Sequence, residues 1–193
     1  MKINLGSGFK RIEGFMNVDN DPLVSPDYIV DLEKGLLPFE DNSVDEIIAH
    51  HILEHIGENF ILLMQEIYRV CEHGAFIDII APHHLHDVYH IDPTHKRPIL
   101  VEGMKMFSKK VMDEQIKVNN SSTGMAYKYN VDFDVIWFDY KYDMFYDGMI
   151  ENYKAKKQSG EVSQEDDWMF TRLFREANNV AIETWIKLRV IKN

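Results

Sequence analysis

The stretch Lys2-Ile-Asn-Leu-Gly-Ser-Gly8 limits what this chain can fold into more than any other part of it. A short apolar run that breaks into Gly-x-Gly reads as a strand entering a turn. The backbone of such a turn can approach a ligand closely, because no Cβ stands in the way. Two more apolar runs follow at once, Phe15-Met-Asn-Val-Asp19 and Tyr28-Ile-Val-Asp-Leu32, and each runs into an aspartate. A carboxylate at a strand tip beside a glycine turn can accept both hydrogen bonds of a ribose diol. These strand ends together point to a nucleoside-type pocket at the carboxyl edge of a parallel sheet.

The pattern continues. Leu37-Pro-Phe-Glu-Asp-Asn-Ser-Val-Asp45 is a turn-rich approach to a fourth strand over Val44–Ala49. Phe60–His73 reads as an amphipathic helix with Leu63, Ile67, Val70 and Cys71 on one face. Gly74 then stands where a left-handed C-terminal residue belongs, and His73 beside it suits the negative end of a helix. Phe76–Ala81 is a fifth strand, ended by Pro82. Strands alternating with helices imply a mostly parallel sheet.

The second half changes character. Ser108 can cap a helix over Lys109–Val118, and 119–124 is a polar loop. Apolar residues at the odd positions from Tyr127 to Trp137 and at the even positions from Val180 to Val190 have strand periodicity. These two strands are expected to form the antiparallel end of the sheet. Between them the acidic, aromatic insertion at about 139–179 carries an expected helix around Trp168–Ala177.

At 193 residues the chain is expected to be one domain, residues 1–193. A formal net charge of -11 argues against a non-specific nucleic-acid binder, which needs a basic face. No apolar run approaches the length of a membrane span, and the N-terminus lacks a signal-peptide layout. The single cysteine, Cys71, cannot form an internal disulfide, so a cytoplasmic location is expected and Cys71 reads as core.

Taken in order, Ile3-Asn-Leu-Gly-Ser-Gly8, Gly14-Phe-Met-Asn-Val-Asp19, Asp31-Leu32, 37–45, Ile47-Ile-Ala-His-His-Ile-Leu-Glu-His-Ile56, Glu66-Ile-Tyr-Arg-Val70 and 74–82 resemble the class I S-adenosylmethionine-dependent methyltransferases. The likeness is greatest to the small members with a shortened glycine loop, and it covers about residues 1 to 100 and the last strand. The resemblance implies an α/β fold: a Rossmann-like, mostly parallel seven-stranded sheet with helices on both faces and an antiparallel C-terminal strand. It implies S-adenosylmethionine as cofactor, with Gly6, Ser7 and Gly8 against its methionine and ribose portions. Asp19 would hold the ribose hydroxyls, Asp31 and Leu32 would border adenine, and His50 and His51 would stand near the reactive methyl group. Glu54 and His55 read as residues that fix the following helix.

One departure matters. Lys10 occupies the place of the family's usual third glycine, and only 7–14 separates Gly6 from Phe15. A parallel crossover normally needs a dozen or more residues, so spacing alone suggests an antiparallel hairpin. The short-loop members keep these strands parallel, and that reading is adopted.

Five of nine histidines fall in Pro82-His-His-Leu-His-Asp-Val-Tyr-His-Ile-Asp-Pro-Thr-His95. Imidazoles here could take a proton from an acceptor at neutral pH, so His83 and His84 with Asp87 are the expected catalytic group. A metal set drawn from His83, His86, Asp87, His90 and His95 is physically open, but its spacing matches no zinc signature and none is assigned. The expected function is methyl transfer to an unidentified acceptor, a small molecule in preference to bulk nucleic acid, with no membrane association and room for a homodimer. The alternative is a non-catalytic protein of the same fold acting through its acidic aromatic insertion. A nicotinamide oxidoreductase fits poorly, since Gly-x-Gly-x-x-Gly would require glycine at Arg11.

Overall fold

The computed structural model describes residues 1–120 and 123–192, with 175 and 176 described by backbone alone. Seven strands form one sheet in the order β3-β2-β1-β4-β5-β7-β6. They are β1 (Lys2–Leu5), β2 (Met16–Asp19), β3 (Tyr28–Ile29), β4 (Val44–His50), β5 (Cys71–Pro82), β6 (Phe133–Tyr142) and β7 (Ala181–Val190). All neighbours from β3 to β5 pair in parallel, and β7 runs antiparallel to both β5 and β6. The helices are α1 (Phe60–Val70), α2 (Asp87–Ile91), α3 (Val101–Lys105), α4 (Lys109–Lys117), α5 (Met125–Lys128), α6 (Asp147–Ser159) and α7 (Gln164–Glu176). None of the described helices is long and apolar enough to cross a membrane.

Alternation along the strands builds the core. Register places Ile3, Ile47 and Ile77 side by side on one face, followed by Leu5, Ala49 and Ile79, all at 0 % exposure. The apolar stripe of α1, through Leu63, Met64 and Ile67, joins the same buried cluster. Each such side chain contributes about 1.5 to 3 kcal/mol by leaving water. The opposite face is covered less completely: Ile48, Ile80 and Trp185 are only half-buried and Phe76 is exposed.

The crossover from β1 to β2 spans only Gly6 to Phe15, yet the strands are parallel. Two asparagines opposite each other in the register make this work. Asn4 Nδ2 donates to Asn17 Oδ1 at 3.0 Å and to the Lys10 carbonyl at 3.1 Å. Asn17 Oδ1 also accepts from the Ile12 amide at 3.0 Å, and its Nδ2 donates to the Phe15 carbonyl at 3.0 Å. The backbone groups that a crossover helix would satisfy are therefore met by side-chain amides. Asp27 closes the network from the far side, accepting from the Asn17 amide at 2.8 Å and pairing with Arg11 at 2.7 Å. The Asn17 amide, more than the Arg11 guanidinium, draws its carboxyl down to about 2.

Three local expectations are corrected. The helix expected over Phe60–His73 stops at Val70, and Cys71 begins β5 with no intervening loop. Cys71 fits the helical spacing because its amide still bonds back to Ile67 while its backbone is already extended. It is core, as expected, and burial pushes its thiol up to about 12. Gly74 has the expected positive φ, 86°, but uses it inside β5, where 71–76 bulges against 44–46. His73 lies in that bulge and accepts from the Lys192 amide at 3.0 Å. The strand expected from Tyr127 starts only at Phe133, because 125–128 forms α5. The Ser108 cap is present, bonding Val111, and α7 begins at Gln164 behind a Ser163 capping box. Of the loop expected at 119–124, residues 121 and 122 lie outside the described residues.

Asn17 is 2 % exposed and organises four groups. Replacing it by leucine strands the Ile12 amide and the Asn4 side chain, so Asn17→Leu is expected to cost roughly 2 to 4 kcal/mol. Urea unfolding would measure this, and a loss below about 0.5 kcal/mol would remove the network from its place in the fold.

Candidate active site

The carboxyl ends of β1, β4 and β5 open onto a cavity of about 560 Å3, lined among others by Asn4, Gly6, Ser7, Gly8, His50 and His51. Antiparallel β7 brings its N-terminal residues to the same edge, so Glu183 and, from the end of β6, Lys141 complete the wall. The size lies within the range for cofactor-type sites.

Gly6 and Gly8 serve this cavity differently. A Cβ on Gly6 would lie 2.6 Å from Ile52 Cγ1, and its φ is +62°. Gly6 thus lets the turn after β1 pack against the segment after β4. Gly8, at φ +50°, has nothing within 4 Å of a Cβ position, so its open side is available to a ligand. Ser7 between them is 5 % exposed and its Oγ has no hydrogen-bond partner. Asp19 steadies the turn by accepting from the Gly8 amide at 2.8 Å and from the Asp21 amide at 3.0 Å. Asp19, Asp31 and Leu32 do not line the enclosed cavity itself. Asp31 caps the short turn at Leu32–Lys34, and the Leu32 side chain is core at 5 % exposure.

His50 stands 3.4 Å from Asp78 on the sheet face. His51, at the strand tip, adopts φ 53°, a left-handed conformation that costs a non-glycine residue about 1 kcal/mol. It lies between two carboxylates, Nδ1 3.6 Å from Glu54 and Nε2 3.9 Å from Glu183. Glu54 above all, and Glu183 in addition, raise its pKa above the usual value against the opposing effect of burial. Glu183 is held in turn by Trp185 Nε1 at 2.8 Å and Lys141 at 3.2 Å. Glu183 and Lys141 were not singled out in the sequence. The signal that could have found them is the charge pair at the start of the last strand, once its antiparallel direction is known.

The histidine loop is placed elsewhere. His83 is 6 % exposed and packs edge-on against Tyr140 at 5.6 Å and Phe174 of α7 at 5.7 Å. With His84 it lines a separate cavity of about 170 Å3 bounded by Leu100, Phe138 and Thr184. Asp87 is not brought to either imidazole: it exchanges hydrogen bonds with Asn179, at 2.7 Å through its amide and 3.0 Å through its carboxylate. The expected catalytic group is therefore split between an aromatic cluster and a loop tie. The 139–179 segment does meet the loop, through Phe174 and through the Asn179 amide on the Leu85 carbonyl at 2.9 Å. Its exposed Trp168 belongs to a different groove, between α6 and α7.

Two outcomes follow from this geometry. Gly6→Ala must displace Ile52 and is expected to cost 2 kcal/mol or more, whereas Gly8→Ala meets only backbone strain of about 1 kcal/mol. Equal losses in denaturant titrations would contradict the packing at Ile52. Burial, reinforced by His84 and His86, brings His83 down to about 4. The unfolded chain protonates this group near ~6.5 while the fold resists. Its stabilising effect is therefore complete above that pH and lost as the pH falls toward 4. The loss should amount to roughly 2 to 4 kcal/mol, and it should be absent in His83→Phe when melting is compared at pH 7 and 4.5.

Comparison with known proteins agrees with this architecture. Residues 16–79 match the family model described as a methyltransferase domain. No curated protein matches the chain. Among solved structures, a SAM-dependent methyltransferase from Archaeoglobus fulgidus superposes with a TM-score of 0.60 at 16% identity, covering 97% of this chain and 85% of that one. A SAM-dependent methyltransferase from Methanosarcina mazei gives 0.53 at 12% identity, with 100% and 92% covered. The cyclase SpnF gives 0.53 at 13% identity, with 100% and 75% covered, so the fold by itself does not name the reaction. The strand order across the whole sheet is that of the Rossmann-like methyltransferase fold, and residues 16–79 within it match a methyltransferase domain.

Proposed function

We propose that the chain binds S-adenosylmethionine at the Gly6–Gly8 turn and transfers its methyl group to a small acceptor positioned before His51, Lys141 and Glu183. The observation that carries this reading is the cavity itself. It joins an open Gly8, an orphaned buried Ser7 hydroxyl and a carboxylate-flanked imidazole at one sheet edge. These groups fit the ligand: the hydroxyl and free backbone can meet its polar amino-acid end, and Asp19 retains acceptor capacity for a ribose diol. Asp31 and the backbone at Leu32 would border the adenine beyond the enclosed part of the site.

The bound cofactor supplies a methyl group already activated on a sulfonium. The protein then has to align the acceptor and exclude water, which can account for several kcal/mol of the barrier. His51 is the group best placed to take a proton from an acceptor hydroxyl or amine, in place of the His83–Asp87 arrangement expected from sequence. Its two nitrogens face Glu54 and Glu183 at 3.6 and 3.9 Å, and its left-handed backbone sets the direction in which the ring leaves the strand. His50 stands beside it on the sheet, whereas His83 and His84 line the separate cavity with Tyr140 and Thr184. A soluble protein acting in the cytoplasm on a small molecule fits the charge and the cysteine content.

Isothermal titration should show S-adenosylmethionine and its demethylated product binding, and a nicotinamide dinucleotide not binding. Asp19→Ala removes a charge-assisted contact of roughly 1.5 to 3 kcal/mol and should weaken binding about 10- to 150-fold. His51→Ala should leave affinity near the wild-type value. Unchanged affinity in Asp19→Ala, or equal binding of the dinucleotide, would reject the assignment.

A further inference from the structure

Behind His51 the chain makes one tight turn, Leu53–His55, that carries Glu54 into the interior. The Glu54 side chain is 1 % exposed, and neither carboxylate oxygen has a hydrogen-bond partner. The nearest charged partner given by the geometry is His51 Nδ1, 3.6 Å away and beyond hydrogen-bonding distance. A buried carboxylate that makes no hydrogen bond and has only an imidazole at 3.6 Å for an ionic partner is incompletely compensated, so its position suits a further cation.

Two imidazoles face it. His55 comes from the same turn, and His95 comes from the loop that follows α2. One ligand atom from each of Glu54, His55 and His95 lies within 4.8 Å of the others. The loop is already seated on this turn, with the Lys96 amide bonded to the Glu54 carbonyl at 2.7 Å.

The surrounding hydrogen bonds fix the state of both rings. His95 Nδ1 is 2.6 Å from the Tyr89 carbonyl, which can only accept, so Nδ1 carries the proton. The Thr94 hydroxyl gives its proton to Asp92 Oδ1 at 2.6 Å, so its oxygen accepts from His55 Nδ1 at 2.9 Å. In the neutral rings both Nε2 atoms are therefore left as lone pairs. A metal-binding histidine is ordinarily oriented in this way, with its other nitrogen donating to a carbonyl or to a carboxylate relay. Asp92 Oδ2, 3.9 Å from His95 Nε2, adds a nearby oxygen.

We propose that Glu54, His55 and His95 form a site for a divalent first-row transition metal ion. Two imidazoles and one carboxylate suit zinc or ferrous iron and leave coordination positions for water or an oxygen-bearing ligand. The ion neutralises Glu54 and clips the 92–97 loop to the turn below His51. Of the set left open in the sequence (His83, His86, Asp87, His90 and His95), only His95 is a ligand here, and the site does not depend on the methyl-transfer reading.

Untagged, chelator-treated full-length protein titrated with cobalt(II), read by visible absorption and calorimetry, tests it. One equivalent per chain should bind and raise the melting temperature. His55→Gln and His95→Gln should each weaken binding at least tenfold, and their double variant should lose the melting shift. His90→Gln, on α2 just before the 92–97 loop and outside the set, should bind as wild type. Glu54→Gln, checked for folding by circular dichroism, should lower affinity without the metal-free destabilisation expected of a lost core contact. Wild-type binding no stronger than that of the double variant overturns the proposal, as does affinity unchanged in both single variants or lost equally in His90→Gln.

Discussion

The pairing of Asn4 with Asn17 is the interaction on which the rest of the molecule depends. A parallel crossover between adjacent strands normally carries a helix, whose own hydrogen bonds satisfy its backbone. Here Gly6 to Phe15 is too short for one, and two side-chain amides meet the loop's backbone groups instead. Without them β2 would be expected to turn back beside β1. The aspartate at the end of β2 would then point to the opposite edge from the glycine turn.

With the strands parallel, several groups converge that are far apart in the chain. Gly6 packs on Ile52, Asp19 holds the Gly8 amide, and His51 emerges beside them at the tip of β4. The reversed direction of β7 then delivers Glu183 to the same place. The site is thus the common edge of six strand ends and not a property of any single motif. Its electrostatics depend on this convergence: His51 lies between two carboxylates, one from its own turn and one from the far end of the chain.

Much of the parallel half was legible in the sequence. Short apolar runs located β1, β2 and β4 to within a residue, and the order of motifs gave the fold. The misreadings share one cause. Cys71 fits both the apolar stripe of α1 and the first pairing of β5, and a period of hydrophobicity does not mark where a chain changes conformation without a loop. Likewise, the odd-position pattern from Tyr127 runs through α5 because four residues are too few to show a helical period.

The sequence by itself determined the sheet's class, its glycine turn and the presence of aspartates at the strand tips, because these follow from local backbone freedom and alternation. Only the tertiary structure decided which polar groups meet. A histidine-rich loop reads as one reactive cluster, yet folding sends His83 into an aromatic core, ties Asp87 to Asn179, and turns His95 toward Glu54 and His55. Spacing along a chain fixes direction only within one element. Which imidazole stays dry, which finds a carboxylate and which faces the cavity depends on the elements packed against it, and those come from the other end of the sequence.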